Sequence, residues 1–188
     1  MDADISDSVS VLTMGAAPWQ AVLDDAPALC RQAAHAALAK GARVPWLTAA
    51  EVGITLGDDE AIQRLNARHR DQDHATNVLA FPLLDLDQGR PLQAPGPGPL
   101  LLGDVIVALQ TLCAEARAAS RPIGDHLSHL VVHGTLHLLG FDHGDEDEAR
   151  VMEDLEREVM ADLGLTDPYA EPVAGSEGSD QHAPEAVR

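Results

Sequence analysis

The residue types best suited to chemistry are concentrated between His133 and His143, a segment reading H-G-T-L-H-L-L-G-F-D-H. His133 and His137 are four residues apart, which on an α-helix separates them by about 40° on one face, so both imidazoles reach one ion. Gly140 follows three residues later, and a glycine there ends a helix by taking the left-handed conformation. The chain then turns back, and His143 approaches the same ion from outside the helix. Three neutral imidazoles with an open fourth position form the usual catalytic zinc arrangement, here one ion per chain. Such an ion polarises a carbonyl or phosphoryl oxygen and lowers the pKa of its bound water. Nickel or another divalent ion accepts the same geometry.

The spacing equals that of the metzincin proteases, H-E-x-x-H-x-x-G-x-x-H, with one decisive difference. Gly134 stands where those proteases hold the glutamate that serves as general base in peptide hydrolysis. A zinc peptidase is therefore an alternative that lacks its base. His126 and His129 continue the histidine stripe, and His129, His133 and His137 fall within about 80° of one another on a helical wheel. His126 and His129 read as hydrogen-bonded helix histidines rather than as ligands. Zinc-bound imidazoles need hydrogen-bonding partners behind them, and Asp104, Asp125 and Asp142 are the candidates. Asp142 is also a candidate to assist as a base, and the sequence leaves open whether water or a ribose 2′-hydroxyl would attack.

These side chains need elements to hold them. Gly124 to Leu139 is the most regular helix of the chain, and Gly144 to Leu163 is another. Val9 to Leu12, Glu51 to Leu56, Asn77 to Leu83 and Leu101 to Leu109 read as strands. Asp24 to Lys40, stopping at Gly41, reads as a helix, as does Thr111 to Ser120. Gly57-Asp58 supplies a turn and an N-cap for a short helix running to about Arg68. Asp85 to Pro99, with three Gly and four Pro, reads as a flexible surface loop. This order describes an α+β fold: a small mixed sheet of about four strands packed with about five helices, with the metal site on a helix and the turn after it. Residues 1–170 are expected to form one domain, and 171–188 a disordered acidic tail.

The 188 residues suffice for one domain with a core that is 3% aromatic and so rests on Leu, Val, Ile and Ala. Cys30 and Cys113 are too few for a disulfide framework or a thiolate zinc site, and are expected as buried small hydrophobes without a disulfide-linked partner. The N-terminus has no signal-peptide pattern and no run spans a membrane, so a cytoplasmic location is expected. The formal net charge of −19 argues at first against nucleic acid. Its distribution changes that inference: from residue 142 onward there are 15 acids and 3 bases. The densest basic stretch, Arg64, Arg68, His69, Arg70 and His74, lies elsewhere. A guanidinium beside a divalent cation suits the extra negative charge of a phosphodiester in cleavage.

Residues 133–143 resemble the signature H-G-x-L-H-L-x-G-[FY]-D-H of the YbeY endoribonucleases, and every fixed position is present. Asn66 to Pro82 is similar to the family segment in which an Arg precedes D-x-x-T-N-V-L-S-F-P, with Ala75 and Ala80 replacing the family's Pro and Ser. Leu101-Leu102-Gly103-Asp104 is similar to its L-L-G-D strand start, and Asp167-Pro168-Tyr169 to its usual ending. The resemblance covers about Glu51 to Tyr169. It implies a zinc-dependent endoribonuclease of single-stranded RNA, acting in 16S rRNA 3′-end maturation and ribosome quality control. It implies zinc on His133, His137 and His143, with Arg70 as the basic catalytic residue facing the metal. Asp104, His129 and Asp142 are left as supporting or substrate-contacting residues. RNA, the ribosome and a ribosomal protein are the expected partners. A non-catalytic ribosome assembly factor with a structural metal is the remaining alternative.

Overall fold

The computed structural model describes residues 9–13, 16–41, 50–85, 90–91 and 100–170. Strands β1 (Val9–Thr13), β2 (Ala50–Gly57), β3 (Val78–Pro82) and β6 (Leu100–Ala108) form a sheet in the order β1-β2-β6-β3. The first three are parallel and β3 runs antiparallel to β6, with Ala80 opposite Val105 and Phe81 opposite Asp104. Helices α1 (Ala16–Val22), α2 (Ala26–Gly41), α3 (Asp59–Arg70), α4 (Leu109–Ala118), α5 (Ile123–Leu138) and α6 (Glu146–Asp162) complete the fold.

Alternation along the strands divides the interior in two. Val52, Ile54, Leu56, Val105 and Val107 point to one face, which α2 and α5 cover, with α6 packed on those two helices. Leu79, Phe81 and Ile106 point to the other, beneath Ile62 and Leu65 of α3. The central helix α5 packs on α2, α4, α6 and the sheet. Its approach to α2 is close because α2 presents Ala33, Ala34, Ala37 and Gly41. A β-carbon on Gly41 would stand 2.7 Å from Leu139.

Caps follow the sequence signals. Asp58 accepts from the Ala61 amide at 2.8 Å at the start of α3. Asp145 accepts from the Asp147 and Glu148 amides, both at 2.9 Å, at the start of α6. The acids Glu146, Asp147 and Glu148 fill that first turn, where the helix dipole favours them.

The expectation of about four strands and about five helices is approximate. The sequence reading omitted α1, a short helix with Pro18 in its first turn, where a missing amide costs nothing. It is anchored by Trp19, buried and donating its indole N–H to Gly57 O at 2.9 Å. At the start of the stretch expected as a loop, β4 (Leu84–Asp85) pairs with β5 (Arg90–Pro91) inside it as a two-stranded antiparallel ladder. Cys30 and Cys113 are both buried and free. Among the described residues no helix is long and apolar enough to cross a membrane. The acidic tail from residue 171 lies outside the described residues.

Candidate metal centre

His133 and His137 project from the last two turns of α5. The helix ends in a Schellman arrangement. Gly140 takes φ 89°, its amide donates to His137 O at 3.0 Å, and the Phe141 amide donates to Leu136 O at 3.1 Å. Phe141 is buried, which locks the turn. Its carbonyl accepts the His137 Nδ1–H at 2.9 Å. The reversal carries His143 back over the helix end, with ring centroids 5.6 Å from His133 and 5.0 Å from His137. One nitrogen from each of the three rings lies within 4.8 Å of the others.

The donor chemistry fits a cation. His133 Nδ1 donates to Glu156 Oε1 at 2.7 Å, and His137 Nδ1 to a carbonyl. Carboxylate and carbonyl only accept, so each ring places a proton on Nδ1, and its neutral form carries the lone pair on Nε2. Those two Nε2 atoms face each other at 3.1 Å. Two lone pairs so placed repel, and a shared cation resolves the conflict. Burial, with the neighbouring His133 and His143, lowers the His137 pKa to about 4, which keeps its ring neutral and ready to coordinate.

The three histidines line a cleft of about 420 Å³ together with Arg70, Thr76, Asn77, Asp142 and the edge strand β3. Arg70 is the last residue of α3. Asp71 follows at φ 55° with its amide on Asn66 O, and the buried Asn66 donates Nδ2 to His74 O at 2.9 Å. Asn66 thereby curls the segment after α3 toward the cleft. Arg70 is exposed and makes no ion pair with the described residues, whereas Arg64 pairs with Glu60. On the same wall, Asn77 Nδ2 donates to both oxygens of Glu115 at 3.1 and 3.0 Å, and Glu115 also meets His126 Nε2 at 2.8 Å.

The structure gathers Arg70, His133, His137, His143 and Asp142 into one cleft. Asp142 Oδ1 accepts the His143 amide at 2.8 Å. His129 stands one step back, its Nε2 at 2.8 Å from Glu156 Oε2. Asp104 is elsewhere. It shares the α3 face of the sheet with Phe81 and Gly53, because its neighbour Val105 takes the face toward α5. Asp125 accepts from Thr166 and ties down the chain after α6. The sequence reading missed Glu156, which contacts His129, His133 and the Tyr169 hydroxyl. A signal existed: Glu156 falls on the apolar stripe of α6 with Met152, Val159 and Met160, where a charge calls for a partner.

An α+β scaffold that holds three convergent imidazoles and an unpaired guanidinium in an open cleft defines a class of protein with a candidate three-histidine metal site and without the protease glutamate. The family Endoribonuclease YbeY matches residues 22–164. The Endoribonuclease YbeY of Azorhizobium caulinodans is 51% identical over 158 residues, covering 84% of this chain and 93% of that protein. That of Paramagnetospirillum magneticum is 48% identical, covering 81% of this chain and 90% of that protein. A solution structure from Thermotoga maritima is 22% identical, covers 87% of this chain and 99% of its own, and superposes with a TM-score of 0.47. The chain belongs to the Endoribonuclease YbeY family.

Proposed function

We propose that this protein is a zinc-dependent endoribonuclease of single-stranded RNA, acting in the cytoplasm on ribosomal RNA, including 16S 3′-end maturation and ribosome quality control. Residues 1–170 act as its one catalytic domain. The ribosome and a ribosomal protein are the partners that deliver substrate. The observation that carries the reading is the convergence of His133, His137 and His143 in a cleft that also presents Arg70. Family membership supports the same activity.

Zinc would supply positive charge and Lewis acidity toward a phosphodiester. His133, His137 and His143 would hold it. Arg70 donates to the phosphoryl oxygens and stabilises the negative charge that builds on them in the transition state. Thr76, Asn77 and Val78 line the cleft beside the histidines and offer backbone and side-chain polar groups to an RNA strand. Peptide hydrolysis is disfavoured, because Gly134 provides no carboxylate and its α-carbon is packed against Val105.

The test uses structured and unstructured RNA with the parent protein and with His137→Ala. Cleavage of the unpaired regions by the parent alone, abolished by a chelator and restored by Zn²⁺, is expected. Equal cleavage by the variant would assign the activity to a contaminant. The termini identify the nucleophile, since a 2′,3′-cyclic phosphate reports attack by the ribose hydroxyl.

A further inference from the structure

Glu156 is the one carboxylate that is buried among the described residues, with its side chain 1% exposed. It makes no ion pair with a Lys or Arg among them. The adjacent Arg157 turns away to Glu153, Asp154 and Asp167, and its guanidinium lies 4.6 Å from the Tyr169 ring centroid. A buried carboxylate without a cationic partner is costly unless hydrogen bonds and a nearby charge compensate it. Three donors converge on this one: His133 Nδ1 on Oε1 at 2.7 Å, His129 Nε2 on Oε2 at 2.8 Å, and the Tyr169 hydroxyl on Oε2. The bond to His133 leaves the lone pair on Nε2, the atom that faces His137 Nε2. The other face of the site is held more weakly, since His137 leans on the neutral carbonyl of Phe141.

We propose that Glu156 is a positioning residue for a divalent cation held by His133, His137 and His143. It fixes the tautomer and ring plane of His133, raises the basicity of Nε2, and finds its own counter-charge across the imidazole. His129 and Tyr169 hold the carboxylate in turn, which gives the Asp167-Pro168-Tyr169 segment a role at the site. This inference rests on the metal-centre reading of the proposed function.

Two measurements test it. Nitrogen NMR of the histidine rings in the metal-free parent at pH 7.5 is expected to place the His133 proton on Nδ1 and none on Nε2. The opposite tautomer overturns the proposal whatever any variant does. Second, Zn²⁺ affinity is measured by chelator competition. Glu156→Gln is expected to bind roughly 10- to 100-fold more weakly while the metal-free variant keeps a cooperative urea transition. Tyr169→Phe keeps the carboxylate and removes one support, and is expected to weaken Zn²⁺ binding roughly fivefold. Because Tyr169 is half exposed, that variant decides the matter if Glu156→Gln does not fold. Unchanged affinity in the folded variants sinks the positioning role alone. A parent that binds no Zn²⁺ sinks the metal-centre reading and this inference with it.

Discussion

Gly134 and Val105 are packed so closely that a β-carbon on Gly134 would stand 2.6 Å from Val105 Cγ1 and 3.0 Å from Cγ2. The position that holds the base in the proteases of like spacing is here the contact that seats α5 on β6. Val105 is branched at its β-carbon and sits in mid-strand, so it cannot swing aside. Alanine at 134 gains about 1 kcal/mol of helix propensity and meets an overpacking cost of about 1–3 kcal/mol. Gly134→Ala is therefore expected to lower the unfolding free energy by about 1 kcal/mol in urea titrations. The same change in a Val105→Ala background should be neutral or stabilising, because the methyl group then has room. A parent that is stabilised by Gly134→Ala would contradict the contact.

Gly140 carries a second expectation. Its φ of 89° is a backbone state that an L side chain enters at a cost of about 1–2 kcal/mol. The turn it makes carries both the Phe141 carbonyl that holds His137 and the chain leading to His143. Gly140→Ala should thus lose stability in denaturant titrations and also weaken Zn²⁺ binding in chelator competition. A variant that loses stability but binds Zn²⁺ like the parent would separate the turn from the site.

Local signals made much of this site legible in the sequence. The i, i+4 histidine pair, the glycine three residues later and the Asp58 cap are each short-range, and helical periodicity places them correctly. What was not legible depends on packing between distant elements. Glu156 lies 23 residues from His133 and reaches it only because α6 folds back on α5. Asp104 lies within the L-L-G-D segment and is of the right type to support an imidazole, but strand alternation turns it to the α3 face. The α1 helix is too short to show a period, and it persists through the tertiary bond from Trp19 to Gly57. The net charge of −19 concealed its own asymmetry. Its acidic excess crowds α6 and the chain beyond, while the cleft is faced by Arg70.

Part of the pH dependence of the metal-free protein follows from His137. Burial and the adjacent His133 and His143 lower its pKa to about 4, against about 6.5 in an unfolded chain. The unfolded state thus binds the proton first as pH falls. The stability that depends on a neutral His137 is fully present above about pH 6.5 and is lost as pH drops toward 4. The loss should amount to about 2–3 kcal/mol, read from urea unfolding with a chelator present at pH 7.5 and at pH 4.5. His137→Gln cannot titrate and should flatten that part of the profile. A variant profile as steep as the parent's would place the titrating group elsewhere.

Arg70 separates catalysis from folding. Its side chain is exposed at the end of α3, pairs with no acid among the described residues, and faces the same cleft as the histidines. Removing it should leave the thermal midpoint and the Zn²⁺ affinity near those of the parent, because surface changes of this kind rarely alter stability. In the proposed function its contribution belongs to the transition state, where charge gathers on the phosphoryl oxygens. Arg70→Ala is therefore expected to slow RNA cleavage by roughly 100- to 1000-fold, mostly in kcat. Arg70→Lys should recover only part of that, since an ammonium cannot reproduce the two-pronged donation of a guanidinium. Single-turnover cleavage of a short unpaired RNA by the Zn²⁺-loaded proteins distinguishes the outcomes. Parent-like turnover in Arg70→Ala would remove the guanidinium from the reaction and leave the histidine cluster as its sole machinery.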